Sequence, residues 1–414
     1  MSERRAVTRQ MAHQYQAARK KQRGELLAQC VRLTGYSRPY AAFVLRNWGR
    51  KRVLTFRGIR TIYVVGEHRH RYSVRPRYYD KTLLPHLTKL WTLSGGLCGK
   101  RLAPFIRTTV PVLERFEEVC LPHSTREKLL TISPATIDRM LVHVHRQALL
   151  KGRSTTKPGT LLKHQIPIRT FSEWNEQLPG FVEIDLVAHD GGIPGSDVIH
   201  TLDMTDVASG WTETRALKTK ARRWVLQALA DISTQLPFAL QGIDSDNGGE
   251  FINAELLQYC LDHKITFTRS RPYRKNDSCF VEQKNYSIVR KTVGYARFDT
   301  DAQLFVLTKL YRILRLFTNF FQPVMKLKTK TRVGSKATKT YDYPQTPYHR
   351  LLVHPKTSPQ IKTRLRRFYR TLNPADLKRT IVQLQEKLLA LPHAEPPTLR
   401  QGRVVRNHFK KILT

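Results

Sequence analysis

Residues 242–253, GIDSDNGGEFIN, hold a short apolar strand that runs into an acidic, glycine-rich turn. Asp246 stands where that strand ends, and Asn247, Gly248 and Gly249 turn the chain sharply behind it. Upstream, residues 181–189, FVEIDLVAH, form a second apolar run with Asp185 inside it. A carboxylate in such a strand is costly to bury unless it is paired or bound to a metal ion. Around these two runs, VIHTLDMTDVA (198–208) and WTETRAL (211–217) read as further strands, as does ITFTRSR (265–271). Residues 218–236, 254–263 and 277–295 read as helices, the last carrying Glu282. Three successive strands followed by alternating helices and strands predict a mixed sheet covered by helices.

Sixty residues stand between Asp185 and Asp246, and thirty-five between Asp246 and Glu282. Three carboxylates, two on strands and one on a helix, suit in-line phosphoryl transfer. In that chemistry two divalent ions about 4 Å apart clamp the attacking and leaving oxygens. Mg²⁺ takes hard oxygen ligands and keeps some waters, so a few carboxylates suffice. Asp185 is the natural bridging ligand, with Asp246 and Glu282 completing one ion each. Glu183 shares a face with Asp185, and Asp244 one with Asp246, so both compete as ligands; the SDNG pattern favours Asp246. Asp203 and Asp206, on or after the second strand, read as turn or surface groups. Glu250 reads as a neighbour of the site, His189 as structural, and Trp211 and Trp224 as core.

These blocks carry a resemblance. FVEIDLVAH, TDVASGWTE, DSDNGGEFIN and RSRPYRKNDSCFVEQKN, in that order, are similar to the DDE superfamily of transposases and retroviral-type integrases. The match covers about residues 175–300; more loosely, the whole chain resembles bacterial insertion-sequence transposases. The resemblance implies a ribonuclease H-like core and a catalytic, metal-holding triad of Asp185, Asp246 and Glu282. It also implies two Mg²⁺ ions, with Mn²⁺ as a substitute, and double-stranded DNA (element ends and target) as partner. A homo-oligomer, dimer or larger, is the expected assembly. Asn285, one turn after the Glu, also matches. Two departures stand out: Asn276-Asp277-Ser278-Cys279 replaces the Gln-Gly many relatives have before the Glu, and Val289 stands where retroviral integrases have a Lys, with Arg290 and Lys291 beside it. Transposition, by cleavage and strand transfer, is the implied activity; a nuclease without joining and a catalytically silent DNA-binding regulator are the alternatives.

Charge agrees with a polyanionic partner. The 414-residue chain has a formal net charge of +40, unevenly spread. Residues 1–60 hold 15 Lys/Arg against 2 Asp/Glu, and residues 301–414 hold 24 against 5. Residues 171–300 reverse this, with 14 against 18, which concentrates the acids in the stretch that holds the triad. Arg271, Tyr273, Arg274, Lys275 and Lys284, with Asn285, Arg290 and Lys291, are candidate DNA contacts around the Glu helix.

The flanks complete a multidomain plan. Residues 1–51 read as a helix-turn-helix module, with Thr34-Gly35-Tyr36 as the break, Ser37 as a cap, and Arg38 and Arg46 as groove contacts. A basic β-rich linker (52–79) and a second helical DNA-binding domain (80–150), with Ser133 capping its last helix, follow. A linker (151–172), the integrase-type core (173–324) and a basic C-terminal β-hairpin with helices (325–414) complete the chain. Five cysteines, an odd number without CxxC spacing, argue for a reducing compartment. No h-region and no apolar run of membrane-spanning length occurs, so the expected location is the bacterial cytoplasm, on the nucleoid.

Overall fold

The computed structural model describes residues 2–56, 59–66, 78–147, 168–169, 178–192, 197–246, 248–270, 279–333 and 336–393. The chain divides into two compact units, residues 1–80 and 81–414.

The first unit has three helices, α1 (Ser2–Ala17), α2 (Lys20–Thr34) and α3 (Arg38–Asn47), and an antiparallel hairpin of β1 (Lys51–Phe56) and β2 (Ile59–Val64). The helices close on Met11, Ala12, Tyr15, Cys30, Ala41 and Leu45. Gly35, at φ 67°, ends α2 and donates its N–H to the Val31 carbonyl, as a left-handed C-cap does. Ser37 stands at the N-cap of α3, but its side chain makes no capping hydrogen bond, contrary to expectation. Of the apolar residues on α2 and α3, Ala41, Val44 and Leu45 are buried, while Leu33, Tyr40 and Phe43 are exposed.

The second unit begins with helices α4 (Leu84–Leu93), α5 (Gly99–Arg115), α6 (His123–Thr131), α7 (Pro134–Met140) and α8 (Val142–Gln147). Ser133 caps α7 as its sequence predicts, accepting the Thr136 N–H. The sheet follows, with β3 (Ile168–Arg169), β4 (Phe181–Ala188), β5 (His200–Asp206) and β6 (Thr212–Leu217). Helix α9 (Arg222–Gln235), β7 (Gly242–Ser245), α10 (Ala254–Asp262) and β8 (Thr266–Ser270) complete it. The strand order is β3-β8-β7-β4-β5-β6. β3, β8, β7 and β4 run parallel, and β4, β5 and β6 antiparallel, which is the mixed sheet that the strand pattern predicts. Strand β3 falls inside the segment expected to be a plain linker; the rest of 151–172 lies outside the described residues.

Helix α11 (Cys279–Lys284) widens into i→i+5 turns over Asn285–Arg290 and tightens again in α12 (Lys291–Val293). The expected single regular helix over 277–295 is therefore broken in register at its centre. Helix α13 (Asp301–Phe321) carries a Thr300/Gln303 capping box and lays Leu307, Leu310, Leu314 and Phe317 into the core beside β6. A hairpin of β9 (Leu327–Val333) and β10 (Lys336–Tyr341) and helices α14 (Pro347–Val353), α15 (Pro359–Thr371) and α16 (Pro374–Ala390) end the unit. Gln322 donates to the Ser94 carbonyl, and Arg379 pairs with Glu118, so the α4–α8 region and the C-terminal helices are bonded together. Among the described residues, no helix is long and apolar enough to cross a membrane.

Candidate active site at the carboxyl edge of the central strands

β4 is central and its neighbours set the site. Along its parallel register with β7, Glu183 lies beside Asp244 and Ile184 beside Ser245, so one step further brings Asp246 level with Asp185. Along its antiparallel register with β5, Asp185 lies directly opposite Asp203.

Asp185 is half-buried and held from two sides. Its Oδ1 accepts the Leu186 N–H at 2.8 Å, and its Oδ2 accepts the Asn285 side-chain amide at 2.6 Å. Asn285 opens the widened turns after α11, so the helix that carries Glu282 also carries the group that orients Asp185. Of Glu282 the structure describes the backbone, within α11.

Asp246 follows β7 by one residue, and its Oδ1 accepts the Gly248 N–H at 2.9 Å. A Cβ at 248 would stand 2.8 Å from the Glu250 carboxyl carbon, at the end of a side chain that can move aside, and 3.0 Å from Asp246 Oδ1. Burial raises the Asp246 carboxyl above its ordinary value, and the charge of Glu250 adds to this against the Gly248 N–H.

The competing acids have other partners. Glu183 is buried and accepts the Val281 N–H at 2.8 Å, which ties the start of α11 to the sheet. Asp244 is buried and accepts the Thr268 hydroxyl at 2.5 Å. Asp206, read as a turn or surface group, is indeed a turn group, but buried: it accepts the N–H groups of Gly180 and Ser209, each at 2.7 Å.

Asp203 departs furthest from expectation. It is no surface group but is 0% exposed, and neither carboxylate oxygen meets a hydrogen-bond donor in bonding geometry among the described residues. Burial raises its carboxyl well above the ordinary value, and the Asp185 charge acts the same way; Lys284 and the Thr205 hydroxyl oppose this. The sequence offered one signal for it, an acid inside the apolar run VIHTLDMTDVA.

The basic residues divide. Lys284 donates to the Gly210 carbonyl at 3.4 Å, and burial with the charges of Arg101 and Arg350 lowers its ammonium to about 8 against the pull of Asp203. Arg290 donates to the carbonyls of Ala188 at 2.8 Å and Gly294 at 3.3 Å and lies over the Tyr295 ring. Lys291 is exposed, and Arg38 and Arg46 are exposed on α3 of the other unit. Arg271, Tyr273, Arg274 and Lys275 lie outside the described residues. His189 is buried, bonded at 2.7 Å to Thr201, which meets the Tyr311 hydroxyl at 2.6 Å. Burial, then Arg290 and His200, hold its imidazole well below the ordinary value, which suits a structural role. Trp211 is core, bonded to Glu213; Trp224 is only half-buried, with Arg223 over its ring at 5.0 Å. Among the described residues, no three His, Cys, Asp or Glu side chains are gathered tightly enough to form a metal-holding group.

The profile of the integrase core domain family matches residues 176–275, the segment that holds β4 to β8. "Uncharacterized protein y4rM" of Sinorhizobium fredii (strain NBRC 101917 / NGR234) is 36% identical over 350 residues, 84% of this chain and 95% of the relative. Among solved structures, the HTLV-2 integrase catalytic core domain in complex with magnesium (dimeric form) aligns at 16% identity and TM-score 0.27, covering 36% of this chain and 91% of that one. The catalytic core domain of BIV integrase aligns at 14% identity and TM-score 0.26, covering 41% and 91%. The chain belongs to one family with the Sinorhizobium fredii protein, and its residues 176–275 match the integrase core domain family.

Proposed function

We propose that this protein is a DNA transposase: it binds the ends of a mobile element, cleaves a strand to free a 3′-OH, and joins that end to target DNA. The observation that carries the reading is the fixing of Asp185. A carboxylate on the central strand, level with Asp246, is oriented by a side chain from the helix that also bears Glu282.

Asp185, Asp246 and Glu282 are the residues assigned to two Mg²⁺ ions. The donor set at this edge is all oxygen, which suits a hard cation. The buried oxygens of Asp203, without a hydrogen-bond donor, are the kind of anionic atoms a cation satisfies. Once bound, the ions supply Lewis acidity at the attacking and leaving oxygens of the phosphodiester. Asn285 restrains the Asp185 carboxylate through Oδ2, which limits its rotamers at this edge. Gly248 lets the turn pass close to Asp246 without displacing it. No side-chain nucleophile is called for, so no covalent protein–DNA intermediate forms.

DNA contacts are assigned to Arg38 and Arg46 on the exposed side of α3, where Tyr40 and Phe43 also face outward. Lys291 beside the Glu helix is assigned likewise, with Arg271, Tyr273, Arg274 and Lys275 from the stretch of sequence before it. Lys284 and Arg290 have carbonyl partners and are assigned to shaping the site. The first unit is the end-binding module, the C-terminal region assists it, and a dimer or larger assembly handles two ends.

The test is strand cleavage and joining on labelled DNA that spans the coding sequence and its flanks, with Mg²⁺ or Mn²⁺. Wild type is compared with Asp246→Asn, which removes a charge and keeps the shape. Nicking and joining by wild type, with a variant that binds DNA and does neither, supports the transposase. Nicking without joining makes it a nuclease, and binding without either reaction makes it a regulator.

A further inference from the structure

The acids of this sheet can be sorted by what satisfies them. Glu183 accepts from the Val281 N–H, Asp244 from Thr268, and Asp206 from Gly180 and Ser209. Glu213 is gripped by Arg315 through both oxygens. Asp203 is as buried as any of them, at 0% exposure, and neither oxygen has a donor in hydrogen-bonding geometry among the described residues, although the Thr205 hydroxyl acts on its carboxyl. It also stands opposite Asp185, its partner in the β4–β5 register. Two like charges directly across a strand pair repel one another. A buried anion without a donor is costlier still. Lys284, the cation whose charge acts on Asp203, points its ammonium at the Gly210 carbonyl and makes no hydrogen bond to it.

We propose that Asp203 is a fourth carboxylate of the metal site, facing the ion that Asp185 holds either directly or through a water on that ion. The proposal rests on the metal-site reading above and adds a residue to it. A divalent cation beside Asp185 turns the Asp185–Asp203 opposition from repulsive to attractive. It also gives the orphaned oxygens either the metal or a metal-bound water as a donor. Asp203 would thus be a positioning residue: it sets where the first ion sits relative to β4, and the ion in turn stabilises the buried anion.

The test is Mn²⁺ binding to the full chain without DNA, by titration calorimetry, on wild type, Asp203→Asn and Asp185→Asn, with thermal melts in parallel. The expected result is a tenfold or greater loss of Mn²⁺ affinity in Asp203→Asn. Its metal-free melting temperature should stay at or above wild type, and its metal-induced rise should be smaller. If Asp203→Asn does not fold, Asp203→Thr, whose β-branched side chain suits a strand, takes its place in the same titration. Mn²⁺ affinity within twofold of wild type, with Asp185→Asn losing it, overturns the proposal and leaves the metal site standing. A lower metal-free melting temperature with unchanged Mn²⁺ affinity also overturns it, since Asp203 would then serve only Lys284. If Asp185→Asn too leaves Mn²⁺ binding unchanged, the metal-site reading falls and this inference with it.

Discussion

Removing the Asn285 side chain tests whether Asp185 depends on its second hold. Asn285→Ala deletes a hydrogen bond of 2.6 Å to a carboxylate. Hydrogen bonds to charged groups are worth about 1.5–3 kcal/mol. Asp185 keeps the Leu186 N–H on its other oxygen, so the backbone position survives and only the aim of Oδ2 is lost. If that aim matters chiefly in the transition state, turnover falls about ten- to hundredfold, at roughly 1.36 kcal/mol per decade. The Mg²⁺ concentration for half-maximal rate should rise, while the Kd for DNA stays within twofold. Asn285→Asp should be worse than alanine, because it sets a second carboxylate against Oδ2. The assay is single-turnover cleavage of end-labelled DNA at saturating protein across a Mg²⁺ series, with binding measured separately. The reasoning is refuted if Asn285→Ala weakens DNA binding but leaves the bound complex at the wild-type rate. Asn285 would then read the DNA and not position Asp185.

Three further outcomes follow from the geometry. Arg315→Ala strips two of the hydrogen bonds from Glu213, which is 0% exposed and keeps Arg215 and Trp211. Breaking a buried pair costs about 3 kcal/mol; with an unfolding entropy of roughly 2.1 cal/mol/K per residue, a unit spanning residues 81–414 should melt about 4 °C lower by calorimetry. Arg379, with Asn373, holds the Glu118 carboxyl down at about 2, against an ordinary value of 4.5. Its contribution is therefore present above pH 4.5 and lost as pH falls toward 2; because the pair is solvent-screened it is about 1 kcal/mol or less. Glu118→Gln should flatten that part of an acid denaturation curve, and an unchanged slope would count against the pair. Gly248→Ala should leave the melting temperature nearly unchanged but cut cleavage about tenfold or more, since the added Cβ crowds Asp246 Oδ1 at 3.0 Å and small misplacements at a reacting centre are heavily penalised. Wild-type turnover in that variant would show that the turn yields without moving Asp246.

Much of the sheet was legible because its signals are local. An apolar run with one acid inside marks β4, and an acid followed by two glycines marks the end of β7, whatever the rest of the chain does. The alternation of element types then predicts the mixed parallel and antiparallel order that the register displays. Features that depend on long-range register were not legible. No local pattern distinguishes the regular helix expected over 277–295 from one that widens at Asn285–Arg290. Spacing places Asn285 one turn from Glu282, on the helix face that turns to the site, but not that its amide meets a residue 100 positions earlier. The flanks show the same limit: composition predicts a linker at 151–172, yet Ile168–Arg169 pair with β8, because two residues of strand leave too faint a pattern to read.

Asp203 shows the limit most plainly. In HTLDMTD two acids stand three apart on one strand, and an acid in a strand ordinarily reads as an exposed or turn group. Two facts overturn that reading, and neither is written in the segment itself. β5 is covered on both sides, so even its polar positions are buried. The hairpin register sets Asp203 opposite Asp185, whereas Asp206 pairs with Val182 and finds its donors in the backbone of the turn. A shift of one residue in that register would exchange the faces of β5 and move Asp203 away from β4's acid. The identity of the acidic side chains at the site is therefore a property of strand pairing as much as of motif. A motif search returns the residues at strand ends and helix turns; the carboxylate opposite Asp185 is found only once the sheet has been assembled.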